Sequence, residues 1–200
     1  MRDLTIYAPR DSNLAGIGRF YRDILGAHVL MSDNDNTKDN NKDHHQCIVT
    51  VGPKQTLTFV PHPDSQQTVR HDDLRDEQFE SPAGFPAHLS NYGPHVSMYV
   101  ADLASTLERA DKLGVTYVNP RFKRRAFTLG EARAQCMFRC LDIVDPAHSE
   151  QGVILKLEHE VRSVVQTNGS LYKSCPLMRY PTLLLQHLVK YYTVTVVSIC

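Results

Sequence analysis

The chain has 200 residues, of which 42% are hydrophobic and 22% are charged, and its 22 basic side chains balance 22 acidic ones. This length and composition predict one or two globular domains with a hydrophobic core. The absence of a basic excess argues against a nucleic-acid partner, and no apolar run is long enough to predict a membrane partner.

The first predicted elements form a βαβββ unit over residues 3–60. A short alternating strand comes first, and apolar residues at three- and four-residue steps over 14–25 then predict an amphipathic helix. Asp11 or Ser12 can cap the start of this helix, and Gly26 suits the position after its end. Three further strands are predicted at residues 28–32, 47–51 and 55–60.

Two segments interrupt this pattern. Residues 32–46, SDNDNTKDNNKDHHQ, are almost wholly polar and predict a long mobile loop between two strands. They lack the glycine and the acidic residue that a calcium loop needs at its sixth and twelfth positions. Residues 61–94 are long and contain several prolines, so we expect a linker or lid there.

Residues 95–160 repeat the same order of elements. After the alternating strand HVSMYV, Asp102 can cap a helix whose apolar stripe covers residues 103–113, and Gly114 ends it. Strands are predicted at residues 115–118, 136–144 and 152–158. In RFKRRAFTLGEARAQ, between the first two of these strands, Thr128 can cap a short helix. Residues 161–200 fit neither unit, and we predict a poorly ordered C-terminal extension.

The two units correspond closely, since DILG at 23–26 matches DKLG at 111–114 at the ends of the two helices. Two tandem βαβββ units, with FYRDILG closing the first helix and HVSMYVADL opening the second unit, resemble the vicinal oxygen chelate superfamily. That superfamily includes glyoxalase I, bleomycin-resistance proteins and extradiol dioxygenases. The resemblance covers about residues 3–160. It implies an α+β fold in which two curled mixed sheets enclose a shared cavity.

The resemblance also implies a metal site for a divalent ion such as Zn, Ni, Mn or Fe. Its ligands in that family are the first residue of each unit's first strand and one residue on each last strand. The matching first residues are Asp3 and His95, and the matching last-strand residues are Thr58 and Lys156. Threonine is a poor ligand and a protonated lysine cannot ligate, so the ligand set is incomplete. A register slip of two residues would bring in Glu158.

Strand alternation predicts which residues line the implied cavity. The aliphatic face of each opening strand should pack under a helix, and the opposite face carries polar and aromatic side chains. The expected ligand-binding residues are Thr5, Tyr7, Ser97, Tyr99 and Lys156. Hydroxyls, phenols and an ammonium in one cavity suit a small polar or anionic molecule.

Cysteine usage and the N-terminus bear on the compartment. The chain has five cysteines and no CxxC pair, and MRDLTIYAPRD carries no targeting signal. If Cys136 and Cys140 lie on one strand, they are about 13 Å apart, which is too far for a disulfide. We therefore expect reduced, core or near-core thiols in a cytoplasmic protein.

Three functions compete on the sequence alone. The first is a metal-free protein that binds a small molecule and has a degenerate metal site, like the bleomycin-resistance branch. The alternative is a divalent-metal-dependent glyoxalase-type lyase or isomerase, or a dioxygenase, that uses His95. The third is a structural or regulatory protein whose cavity has closed. The expected partner is a small-molecule ligand or substrate, and a homodimer is left open.

Overall fold

A computed structural model describes most of both predicted units. The described residues are 3–32, 46–52, 55–63, 95–118, 126–165 and, for the backbone alone, 194–199. Most of the predicted loop 32–46, of the linker 61–94 and of the C-terminal extension lies outside the described residues. The basic stretch 121–125 lies outside them too.

The first unit has the predicted βαβββ order, with one irregularity in its helix. Its elements are β1 (Asp3–Ala8), α1 (Leu14–Arg19), β2 (His28–Ser32), β3 (Gln46–Gly52) and β4 (Gln55–Pro61). Helix α1 runs on into a π-helical turn over Phe20–Ile24, which the apolar spacing did not predict. π-Helical turns often occur at functional positions, and this one carries the buried Tyr21.

The second unit repeats this order with one additional helix. Its elements are β5 (His95–Val100), α2 (Leu103–Lys112), β6 (Thr116–Tyr117), α3 (Leu129–Gln135), β7 (Met137–Val144) and β8 (Val153–Ser163). A 3-10 turn at Ser149–Gln151 separates β7 from β8. The short helix predicted after Thr128 is confirmed as α3, and β8 ends three residues beyond the predicted unit boundary at 160.

The strand order confirms the internal repeat. Sheet A has the order β1-β4-β3-β2, and sheet B has the order β6-β7-β8-β5-β9, in which β5-β8-β7-β6 is the same succession. In both sheets the first strand of the unit lies parallel to its last strand, and the other pairs within the unit are antiparallel. The described C-terminal strand β9 (Val194–Ile199) pairs antiparallel with β5 on the side away from β8.

Helix caps fix where each helix begins. The side chain of Asn13 accepts a bond from Gly16 N at 2.8 Å, so Asn13 caps α1 and the expectation of Asp11 or Ser12 is wrong. The physical reason is a turn that precedes the helix, in which Ser12 N bonds to the carbonyl of Pro9. Asp102 caps α2 as predicted, by accepting from Ser105 N at 3.0 Å.

Glycine allows α1 to approach the second unit closely. A Cβ at Gly16 would lie 2.7 Å from the Cδ1 of Ile154 on β8, which is closer than carbon atoms pack. At Gly18 a Cβ would lie 3.1 Å from Val29 on sheet A. Helix α1 therefore contacts its own sheet on one side and the second unit on another, and small residues set both distances.

Tyr21 links the two units inside the core. Its hydroxyl lies 2.6 Å from Nε2 of His159 on β8, and its ring stacks 5.3 Å from that of Phe59 on β4. All three side chains are fully buried. The aliphatic residues of the opening strands, Ala8 on β1 and Val96, Met98 and Val100 on β5, are buried in the core cluster that contains the apolar residues of α1 and α2, as strand alternation predicts. The polar faces lie on the opposite sides of their sheets.

A buried carboxylate makes a second link between the units. Asp145, just after β7, accepts from Arg19 Nε at 2.8 Å and from Arg19 Nη2 at 2.5 Å. It also accepts from Asn13 Nδ2 at 3.2 Å and from the backbone of Ala147 at 3.0 Å. The bonds from Arg19 lower the pKa of Asp145 to about 2.

In the described part of the chain, no helix has both the length and the apolar content needed to cross a membrane.

Candidate functional site

The polar face of sheet B carries the candidate site. On β5 it presents His95, Ser97 and Tyr99, and the residues opposite them on β8 are Glu158, Glu160 and Arg162. His95 and Ser97 are partly buried, whereas Tyr99 is only 5% exposed. The three positions predicted on β5 therefore do share one face. We call this surface, together with Arg139, the sheet B polar face. Asp142 and Lys156 pair with each other beyond an irregularity in the register of β7 and β8, so strand alternation does not assign them to this face.

A buried ion-pair network occupies the middle of this face. Arg139 on β7 donates from Nη1 to Glu158 Oε1 at 2.8 Å, and its Nη2 donates to Glu160. Glu160 also accepts from Nε of Arg162. Arg139, Glu158 and Glu160 are each at most 5% exposed. Buried charges are tolerated because they are paired, so each member of this network requires the others.

The strand register shows which residues lie beside the two opening residues. The β8 residue opposite His95 is Glu158, the candidate that a slip of two residues would bring in, and Lys156 lies opposite Asp142 on β7. In sheet A the residue opposite Asp3 is Thr56, and Thr58 lies opposite Thr5. The assignment of Thr58 and Lys156 to the metal positions that the resemblance implies stays a prediction.

The donor set on the sheet B polar face does not suit a divalent metal. A metal needs carboxylates that are free to coordinate, but Glu158 already binds the guanidinium of Arg139, which is itself a cation beside any ion placed there. Among the described residues, no three His, Cys, Asp or Glu side chains are grouped so that they could hold a metal ion. The assignment of Asp3, His95 and Glu158 as ligands stays a prediction.

The matching face of sheet A is more exposed. Asp3 accepts a hydrogen bond from the Thr56 hydroxyl at 2.7 Å, and both side chains lie at the surface. Thr5 is exposed, and Tyr7 is 49% exposed with its ring against that of His62. The roles of Asp3, Thr5 and Tyr7 in ligand binding stay predictions, as does a cavity lined by both sheets.

Lys156 is an accessible cation on β8, the strand that also carries Glu158 and Glu160. Its side chain is 42% exposed and its Nζ lies 3.7 Å from Oδ1 of Asp142. A pair at this distance and exposure is weak. Its ammonium can therefore turn toward a bound anion at little cost, which is consistent with the predicted ligand role.

Sequence reasoning missed the two central charges, Arg139 and Glu160. Arg139 lies within the predicted strand 136–144, but the sequence alone predicted no ion-pair partner for it. Glu160 lies beyond the predicted end of the last strand at residue 158. The alternation in LEHEVR continues past that point and places Glu158, Glu160 and Arg162 on one face, so the signal was present.

The described cysteines lie in the core rather than in the site. Cys47, Cys136 and Cys140 are free and buried, as predicted. Burial raises the pKa of the Cys47 thiol to about 11, and it raises the pKa of Cys140 further. These thiols are protonated at neutral pH, so neither is an activated nucleophile.

Comparisons with known proteins add a similarity at the level of structure. No family model and no curated protein matches the chain. Among solved structures, the chain is similar to a lactoylglutathione lyase from Agrobacterium tumefaciens, with 16% identity and a TM-score of 0.38. The match covers 82% of this chain and 92% of that one. The strand order and register define two tandem βαβββ units. This arrangement is the α+β fold of the glyoxalase/bleomycin-resistance type.

Proposed function

We propose that the chain is a metal-independent member of the vicinal oxygen chelate superfamily that binds a small molecule on the sheet B polar face. The observation that carries this proposal is the position of Arg139. Its guanidinium bridges Glu158 and Glu160 beside the strand of His95, where the resemblance implies a metal. An internal cation there satisfies the carboxylates and removes the need for a bound ion.

The accessible charges of this face favour an anionic or strongly polar ligand. The two glutamates are buried, whereas Lys156 and Arg162 keep 42% and 22% of their side chains exposed. A ligand approaching this face from solvent therefore meets the cation Arg162, and we predict that Lys156, which lies on the same strand and pairs with Asp142, also reaches it. Ser97 and Tyr99 are the predicted hydrogen-bonding residues of this face. This arrangement suits a small carboxylate or phosphate ester.

A thermal-shift panel of small carboxylates and phosphate esters tests the proposal. We expect at least one compound to raise the melting temperature, and the rise to be unchanged after EDTA treatment. Lys156→Ala should weaken the best compound by about tenfold, the loss expected for one charged hydrogen bond of about 1.4 kcal/mol. Lys112→Ala, which removes an exposed lysine on α2, is the matched control and should bind like the wild type.

The metal-dependent alternative predicts a different result. It is favoured by one observation, the pairing of His95 with Glu158 across β5 and β8. Under that alternative, purified protein supplemented with Zn, Ni, Mn or Fe would hold about one metal per chain, and EDTA would abolish the ligand response. Such a result would overturn the metal-independent function, and a panel in which no compound shifts the melting temperature would count against it.

A further inference from the structure

A cavity lies at the edge of sheet B, and none of the predicted ligand-binding residues lines it. It has a volume of about 330 Å³ and lies between α2, β6 and α3, so we call it the α3 cleft. Its floor consists of Leu107, Ala132 and Phe138, each at most 3% exposed. This size falls at the lower end of the range of roughly 300–1,000 Å³ that small-molecule sites occupy.

One side of the cleft is formed by the short helix α3. Thr128 and Glu131 form a reciprocal capping box at the start of α3, and Cys136 ends it in the left-handed conformation at φ 53°. Arg133 bonds to Glu108 and so ties α3 to α2. The only side chain that α3 buries is the small Ala132. The helix therefore spans a gap that a larger residue at this position would fill.

The lining favours an uncharged aromatic molecule. Phe127, Phe138 and Tyr117 offer three aromatic rings, and Phe127 is 66% exposed at the cleft. The charged side chains in the lining are Arg139, which is bound to two glutamates, and Asp111, which accepts a hydrogen bond from the Thr116 hydroxyl at 3.2 Å. The carboxylate of Asp111 disfavours an anionic ligand and can accept a hydrogen bond from a neutral one. Burial raises the pKa of Tyr117 to about 12, so its phenol adds no charge to the cleft.

We propose that the α3 cleft binds a small neutral aromatic molecule that carries one hydrogen-bonding group. The cleft shares Arg139 with the sheet B polar face, which we assign to a polar or anionic ligand, but neither Ser97, Tyr99 nor Lys156 lines it. Substitutions at Ala132 and at Lys156 therefore test the two sites separately.

Indole is a suitable probe because the chain contains no tryptophan, so indole fluorescence is read without a protein background. We expect saturable binding of one indole per chain with a blue-shifted emission. Ala132→Leu fills the floor of the cleft and should weaken indole binding by about tenfold or more. A loss of about 1.4 kcal/mol of binding free energy corresponds to a tenfold weaker affinity. Ala134→Leu makes the same change at an exposed position of the same helix and should bind indole like the wild type.

Two outcomes would overturn the proposal. One is that wild-type protein shows no saturable indole binding, and the other is that Ala132→Leu and Ala134→Leu bind equally well. If Ala132→Leu fails to fold, as judged by its melting curve, Phe127→Ala replaces it, because a ring this exposed contributes little to folding. We expect Phe127→Ala to weaken binding severalfold, and unchanged binding by a folded Phe127→Ala protein would contradict the site.

Discussion

At the scale of single residues, one arginine determines the chemistry of the sheet B polar face. Arg139 neutralises two carboxylates that are otherwise buried in the sheet, and it does so beside His95. Without the guanidinium, Glu158 and Glu160 would be two unpaired negative charges at low exposure, an arrangement that proteins avoid unless a cation binds. The same residue therefore stabilises the fold and argues against a metal.

We predict that Arg139→Met destabilises the protein far more than loss of an accessible pair does. Removing one partner of a buried ion pair costs about 3–5 kcal/mol, because the other charge is left uncompensated. Lys156→Met breaks the half-exposed pair with Asp142 and should cost less than about 1 kcal/mol. Urea denaturation at neutral pH measures both free energies of unfolding. Equal losses in the two variants would show that the network around Arg139 is not buried in solution.

Sequence alone reached the residues of this face but not their pairing. The alternation in HVSMYV placed His95, Ser97 and Tyr99 together, because side-chain direction in a strand depends only on residue parity. Pairing between distant strands depends on register, and a shift of two residues leaves the polarity pattern unchanged. That is why either Lys156 or Glu158 could be assigned to the last-strand position, and why Arg139 and Glu160 were not recognised as partners.

At the scale of elements, two of the three helix starts and two of the three helix ends in the described chain followed from the sequence. Asp102 and Thr128 cap α2 and α3 as predicted. Gly26 and Gly114 end α1 with its π-helical turn and α2 as predicted, with φ of 74° and 75°, because glycine adopts a positive φ without steric cost. The end of α3 at Cys136, with φ 53°, was not predicted because no glycine marks it. The start of α1 was ambiguous, since Asp11, Ser12 and Asn13 can all cap, and the turn from Pro9 to Ser12 selects Asn13.

Two glycine substitutions should change stability in opposite directions. At Gly114 a Cβ would meet no atom within 4 Å, so the expected cost of Gly114→Ala is backbone strain alone. This strain should lower the free energy of unfolding by about 1 kcal/mol. Gly130 lies inside α3 without a positive φ, and its Cβ would meet only the Thr128 hydroxyl at 3.9 Å. Gly130→Ala should therefore gain about 0.5–1 kcal/mol. Melting temperatures compare the two, and a gain at Gly114 would contradict the left-handed helix end.

At the scale of the whole molecule, the two units share one core instead of packing as separate domains. The βαβββ repeat was predictable because each unit carries its own periodicity. The contacts between units were not, since they join residues far apart in sequence. Tyr21 bonds to His159, Gly16 faces Ile154, and Arg19 binds Asp145. All three links place α1 of the first unit against β7, β8 or the turn between them.

The Arg19–Asp145 link should make the free energy of unfolding of the whole molecule fall as the pH becomes acidic. The pKa of Asp145 is lowered from 3.8 to about 2 by Arg19, so its contribution is complete above pH 4 and is lost as pH falls toward 2. A shift of this size corresponds to about 2 kcal/mol, and Asp145→Asn should lose that much at pH 7.

Urea denaturation of wild type and Asp145→Asn at pH 7, 5 and 3 measures this pH dependence. We expect the difference in the free energy of unfolding to be the same at pH 7 and 5 and to shrink at pH 3, because protonation then removes the same charge from the wild type. Asp23→Asn, which breaks the exposed pair with Arg22, should differ from wild type by less than about 1 kcal/mol at neutral pH. A difference for Asp145→Asn that is constant from pH 7 to 3 would mean that this carboxylate does not join the units as an ion pair.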